Sequence, residues 1–146
     1  MFRGRYQHQI DVKGRLSVPS RFRDALSAGV GELLMVTNFD QCLWAYTQSE
    51  WHELEKKVAL APQFSEEVKA FQRVFISAAC ECPIDRQGRI LIPPSLREYA
   101  GIIRDVTIVG MTKRFEIWAR ERWDLIFTTA EQHLGGMGEK LSGLGL

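Results

Sequence analysis

A chain of 146 residues, 45% hydrophobic and 25% charged, has the make-up of an ordinary globular protein, sized for one domain or two small fused units. No stretch approaches the ~18 uninterrupted apolar residues of a membrane span, and no apolar run follows Met1-Phe2-Arg3-Gly4-Arg5, so a cytoplasmic protein without a signal peptide is expected. The formal net charge is +1, yet residues 1–23 carry an excess of five positive charges and residues 50–67 an excess of three negative ones, a distribution that lets one end attract phosphate.

An alternating strand is expected over about 4–12, turned at Lys13-Gly14, where glycine supplies a positive φ, into a short strand Arg15–Val18. Pro19 suits the first turn of a helix Ser20–Ala28. Strands follow near Glu32–Thr37 and Cys42–Tyr46. Thr47-Gln48-Ser49-Glu50 then has the spacing of a capping box, and Trp51, Leu54 and Val58 recur at helical intervals. Pro62 interrupts that helix, Ser65 caps another, and Val68, Phe71 and Phe75 continue the apolar stripe. A strand over about 76–85, a turn at Gln87-Gly88 and a strand Arg89–Ile92 lead through Pro93 to a helix Pro94–Ala100 closed by Gly101. Strands Asp105–Gly110 and Arg114–Trp118 precede a helix Arg120–Leu134. The tail, with five glycines in residues 135–146, is expected to lack fixed structure.

The second half of that series repeats the first. At a constant spacing of 74 residues, Ile10-Asp11-Val12-Lys13-Gly14-Arg15-Leu16-Ser17-Val18-Pro19 lies over Ile84-Asp85-Arg86-Gln87-Gly88-Arg89-Ile90-Leu91-Ile92-Pro93. The same spacing places Arg23 over Arg97, Leu34-Met35 over Ile108-Val109, and Leu43-Trp44-Ala45 over Ile117-Trp118-Ala119. Shared Trp, Gly and Pro in one ungapped register indicate a duplication. Half a chain of short strands buries little apolar surface alone, so the two halves are expected to share one core.

The twin segments Asp11–Arg23 and Asp85–Arg97, each with an Asp-x-x-x-Arg, a Gly-Arg pair and a following proline, resemble the paired motifs of the MraZ family. Met1-Phe2-Arg3-Gly4, Cys42-Leu43-Trp44 and Phe115-Glu116-Ile117-Trp118 fit the same pattern, and the resemblance spans roughly residues 1–134. It implies an α+β fold: a pseudo-two-fold tandem repeat of AbrB-like swapped-hairpin half-units forming one β-barrel, flanked by helices. The repeats would occupy residues 1–60 and 76–134, each with a terminal helix, joined by a connecting helix at 61–75 and followed by the flexible tail. The resemblance also implies ring-shaped homo-oligomers and binding to repeated double-stranded DNA boxes upstream of a division and cell-wall gene cluster. The regulator, usually a repressor, would be associated with the nucleoid.

By that resemblance Arg15 and Arg89 are the candidate DNA contacts, with Asp11 and Asp85 as motif partners and Gly14 and Gly88 shaping the turns. Arginine fits the task because its planar fork grips a phosphate or the O6/N7 edge of guanine at two points. An aspartate four residues earlier can orient that fork or cap the turn's N–H groups. The pair can equally be a strut for the turn, where an exposed ion pair is worth ~0–1 kcal/mol; the two roles are compatible. Lys13 at the turn tip and Arg21 and Arg23 on the following helix are candidate phosphate contacts, which strengthen binding without reading sequence. Arg3, Arg5, Arg86 and Arg97 complete the basic set. Arg86-Gln87 in place of Val12-Lys13 suggests that the halves touch DNA unequally. Trp44, Trp51, Trp118 and Trp123 recur at equivalent places and favour core packing over base stacking.

Other chemistries find no support in the sequence. Cys42, Cys80 and Cys82 are an odd set of thiols, and Cys80-x-Cys82 lacks the second ligand pair of a zinc site, so no disulfide, metal or other cofactor is expected. His8, His52 and His133 are scattered and no catalytic motif occurs, so the chain is not expected to be an enzyme or to take a small-molecule ligand. The alternative to DNA reading is a ring scaffold or a partner-binding, antitoxin-like protein.

Overall fold

The computed structural model describes residues 1–26 and 32–146. The strands are β1 (Arg5–Gln9), β2 (Arg15–Ser17), β3 (Leu33–Phe39), β4 (Cys42–Thr47), β5 (Cys80–Pro83), β6 (Arg89–Leu91), β7 (Asp105–Gly110) and β8 (Arg114–Ala119). The helices are α1 (Ser20–Ala25), α2 (Gln48–Leu60), α3 (Glu66–Phe71), α4 (Pro94–Ala100), α5 (Arg120–Leu134) and α6 (Gly138–Gly143). The helix expected over Ser20–Ala28 stops at Ala25, where Leu26 turns to extended backbone; residues 27 and 28 lie outside the described residues.

Caps fall where local chemistry places them. The Thr47 hydroxyl accepts from Glu50 N–H at 3.2 Å and the Ser65 hydroxyl from Val68 N–H, so α2 and α3 start as expected. Gly101 closes α4 at φ 67°. α1 and α4 start at Ser20 and Pro94 as expected, with Pro19 and Pro93 as their extended caps just ahead of the first turn.

Pairing is antiparallel throughout the main sheet, in the order β1-β7-β8-β4-β3-β5, while β2 and β6 pair with each other as a separate ribbon. The first strand of each half thus joins the sheet of the other: β1 lies on β7 and β5 on β3. The expected barrel is not closed. Closure needs every edge strand paired, but β1 and β5 stand at opposite edges, and the strands that follow them, β2 and β6, turn away to pair together.

One core lies between the sheet's inner face, the ribbon, α1 and α4. Phe22, Leu16, Ile90, Ile92, Leu96, Leu34, Ile108, Phe115 and Ile117 are all buried in it. On the outer face α5 covers Trp118 with Trp123 and Ile126. At the other end of that face Phe75 sits among Phe39, Trp44, Tyr46, Trp51 and Phe71.

Two expected segments change character. Residues 72–76 are a π-helical turn continuing α3, closed by Ser77 N–H to Gln72 O at 3.0 Å, so the strand expected from residue 76 begins only at Cys80. The tail expected to lack fixed structure is helical through Gly135–Met137 and α6, held by its own backbone bonds and burying no residue. The thiols are free, and burial pushes Cys82 up to about 12 and Cys42 also upward, so neither is a thiolate at neutral pH.

Candidate nucleic-acid interface

Each motif aspartate builds its own turn. Asp11 Oδ1 accepts from Lys13 N–H and Arg15 N–H, both at 2.9 Å, and Asp11 Oδ2 accepts from Arg15 Nε at 2.6 Å. Asp85 repeats the arrangement with Gln87 N–H and Arg89 N–H at 2.9 Å and Arg89 Nε at 3.2 Å. The turns close through Gly14 N–H to Asp11 O and Gly88 N–H to Asp85 O, both 3.0 Å, with the glycines at φ 90° and 77°. Orienting the arginine and capping the turn are therefore one device.

The first pair is the tighter. The Arg15 backbone N–H is the main reason that the Asp11 carboxyl falls from 3.8 to about 2, aided by the Arg15 side chain; Arg89 N–H lowers Asp85 in the same way. A carboxyl lowered on folding stabilises the fold above its unfolded value, and that contribution is lost as pH falls through the folded value. The Asp11 lock is thus expected to hold above about pH 4 and to be released as pH falls from there through about 2. Carbon-13 titration of the side-chain carboxyl checks this; a midpoint at 3.8 would mean that the turn bonds are not held in solution.

The ribbon brings the two motifs together. Its register sets Arg15 opposite Leu91, Leu16 opposite Ile90 and Ser17 opposite Arg89. Leu16 and Ile90 are buried at 1% exposure, so by strand alternation Arg15, Ser17, Arg89 and Leu91 share the outward face. Val18 N–H donates to Gly88 O at 2.9 Å and Ile92 N–H to Gly14 O at 2.8 Å, so each turn is also tied to the opposite half. His8 Nδ1 donates to Ser17 O at 2.8 Å, fixing the ribbon against β1.

The other candidates separate. Lys13, Arg86 and Gln87 are exposed at the turn tips, and Arg21 is exposed on α1. Arg5 is not gathered to the ribbon: its guanidinium lies over Phe127 of α5, 4.7 Å from the ring centroid, on the face of β1 opposite His8. Arg3 is exposed, its backbone packed against Gly110. Arg23 and Arg97 donate from Nε to Val18 O and Ile92 O. Sequence reasoning missed His8, Ser17 and Leu91; alternation along the two short strands was the signal for Ser17 and Leu91, whereas nothing local marked His8.

Two arginines with their forks held at rigid corners, on one face of a two-stranded ribbon, suit a polyanion. A ribbon of this kind fits the major groove of B-DNA, where an arginine can take guanine O6 and N7 together.

The profile of the MraZ family, described as "MraZ protein, putative antitoxin-like", matches residues 1–74 and again 75–135. The chain belongs to the MraZ family. Relatives named "Transcriptional regulator MraZ" align along almost the whole length: that of Desulforapulum autotrophicum is 47% identical, covering 100% of both chains. That of Acetivibrio thermocellus is 42% identical over 100% of both, and that of Ligilactobacillus salivarius 45% identical over 97% of this chain and 96% of its own. No helix among the described residues is long and apolar enough to cross a membrane.

Proposed function

We propose that this chain is a DNA-binding transcriptional regulator that reads duplex DNA with the ribbon of β2 and β6, Arg15 and Arg89 contacting base edges or phosphates. The observation that carries the reading is the presentation of both motif arginines on one outward face, each locked by its own aspartate. The relatives' shared name supports the regulatory role. Lys13 and Arg86 at the turn tips and Arg21 on α1 add phosphate contacts, and the different tips make the two motifs unequal readers. Arg3 and Arg5 reach the backbone only if the duplex extends past the ribbon.

The finer reading follows the family resemblance. The chain is a tandem repeat whose halves share one core, and it acts in the nucleoid, chiefly as a repressor, on repeated boxes upstream of its own division and cell-wall gene cluster. One subunit offers few contacts, so a homo-oligomeric ring places several ribbons on adjacent boxes and gains affinity through effective concentration. Equal affinity of the assembled protein for one box and for several would remove that part of the proposal.

The test is fluorescence anisotropy with DNA from upstream of the chain's own gene, against scrambled DNA and over a salt series. Arg15→Ala/Arg89→Ala is expected to weaken specific binding by about a hundredfold or more, since each well-placed bidentate contact is worth ~1–3 kcal/mol. The double variant should keep its fold and its oligomeric state. A wild type that ignores all duplex DNA at low salt overturns the proposal, and the arginines become turn struts in a scaffold or partner-binding protein.

A further inference from the structure

Arg23 on α1 and Arg97 on α4 stand 74 residues apart, and both reach from their helix towards the ribbon. Arg23 Nε donates to Val18 O at 3.2 Å and Arg97 Nε to Ile92 O at 3.0 Å. Val18 and Ile92 are the residues whose N–H groups hold the opposite half's turn glycine. The guanidinium groups themselves lie against those glycines. A Cβ placed on Gly88 would stand 2.7 Å from Cζ and Nη1 of Arg23, and one on Gly14 would stand 2.8 Å from the Ile92 carbonyl oxygen, 2.9 Å from Nε and 3.0 Å from Cζ of Arg97. Each turn glycine therefore combines a positive φ with a close approach by the other half's arginine.

We propose that Arg23 and Arg97 are positioning residues that cross-brace the two turns, Arg23 holding the Asp85–Arg89 turn and Arg97 the Asp11–Arg15 turn. The inference rests on the DNA-reading role of the ribbon. A planar guanidinium can lie flat on a glycine while Nε donates to a carbonyl beside it; an ammonium keeps the charge but has neither the plane nor the Nε donor. The braces fix the offset between Arg15 and Arg89, and that offset decides whether both forks meet their targets on one duplex. A reading site whose supporting residues are loosened loses affinity although the reading side chains remain.

A brace and a phosphate contact respond differently to lysine. A phosphate contact survives Arg→Lys largely intact, and its loss in Arg→Ala lowers the salt slope by about 0.9 per contact. For the brace, Arg23→Lys, Arg97→Lys, Arg23→Ala and Arg97→Ala are all expected to weaken specific binding by about tenfold, alike and with the slope unchanged, while non-specific binding barely moves. Kd would be measured below the melting range of each variant. Near-wild-type affinity in the lysine variants, or a reduced salt slope in the alanine variants, overturns the proposal in favour of phosphate contacts. A lowered Tm with unchanged Kd overturns it in favour of a stability role alone.

A DNA-free measurement separates this inference from the function on which it rests. Nuclear Overhauser contacts from the Arg23 side chain to the Gly88 α-protons, and from Arg97 to those of Gly14, are expected in the full-length protein; their absence overturns the brace. If they are present and the wild type binds no duplex, the DNA-reading role fails, and the positioning role with it, while the cross-half packing stands.

Discussion

Gly110→Ala is expected to lower the unfolding free energy by about 2–4 kcal/mol, the scale of an overpacked core or of a lost buried aromatic. An alanine Cβ at this position would stand 2.4 Å from the N and Cα of Arg3 and 2.7 Å from its carbonyl carbon. These are backbone atoms, which cannot rotate aside. Relief requires residues 1–4 to lift from the end of β7, breaking Gly110 N–H to Gly4 O and the reciprocal pair between Phe2 and Thr112. Phe2 would leave the core with them; it is 4% exposed and meets the rings of Phe22 and Phe115 edge-on at 5.1 Å. The cheaper of strain and extraction sets the cost. Chemical denaturation measures it, and Phe2→Ala should add little in the Gly110→Ala background if extraction is the route. Gly136→Ala is the contrast: nothing lies within 4 Å of that Cβ, so a change within ~1 kcal/mol, in the stabilising direction, is expected. Melting of Gly110→Ala with the wild type would show that the N-terminal segment does not pack on β7 in solution.

Legibility in the sequence followed the range of the interactions. Thr47, Ser65 and Gly101 cap helices through partners three to five residues away, so their roles could be read from spacing. The motif turns were legible for the same reason, since Asp11 and Asp85 bond groups two and four residues on. Strand partners were not. Reading each half as its own hairpin leaves β2 beside β1, whereas Leu16 pairs with Ile90 in the other half. No local signal distinguishes the two, because a three-residue strand has the same alternation against either neighbour. The open sheet follows from that choice.

The π turn was hidden by a coincidence of periods. Ile76, Ala78, Cys80 and Cys82 alternate like a strand, but Ser77 N–H is committed to Gln72 O and the Phe75 carbonyl accepts from the buried Thr37 hydroxyl. Tertiary demand for Phe75 inside the aromatic cluster overrides the local pattern. In the candidate site, the twin arginines were legible through repetition, while the bracing role of Arg23 and Arg97 depends on an approach between halves that composition cannot reveal. A basic residue near an arginine-bearing turn reads as a phosphate contact until the opposite glycine is seen beneath it.

Arg114→Ala is expected to cost about 3–5 kcal/mol, the range for removing one partner of a buried ion pair. The Arg114 and Glu116 side chains are 23% and 8% exposed; Arg114 Nη2 donates to Glu116 Oε2 at 3.1 Å, and Trp118 Nε1 donates to Glu116 Oε1 at 3.0 Å. The Arg114 guanidinium also lies 3.5 Å from the centroid of the Trp44 ring. Trp44 is the register partner of Glu116 across β4 and β8, where the two halves of the sheet join. The 74-residue spacing puts Asp40 and Cys42 at the corresponding places, so the pair belongs to the second half alone. Taking away the arginine leaves a carboxylate in low dielectric with an indole N–H as its remaining side-chain donor, and the desolvation cost is no longer offset. The charge is then the liability rather than the missing bond, so Arg114→Met/Glu116→Gln should recover most of the loss, with glutamine still accepting from Trp118. Denaturation of the four proteins of that double-mutant cycle yields the coupling directly. A coupling near zero would mean that water already reaches Glu116, and that the junction of the halves is held by its apolar neighbours alone.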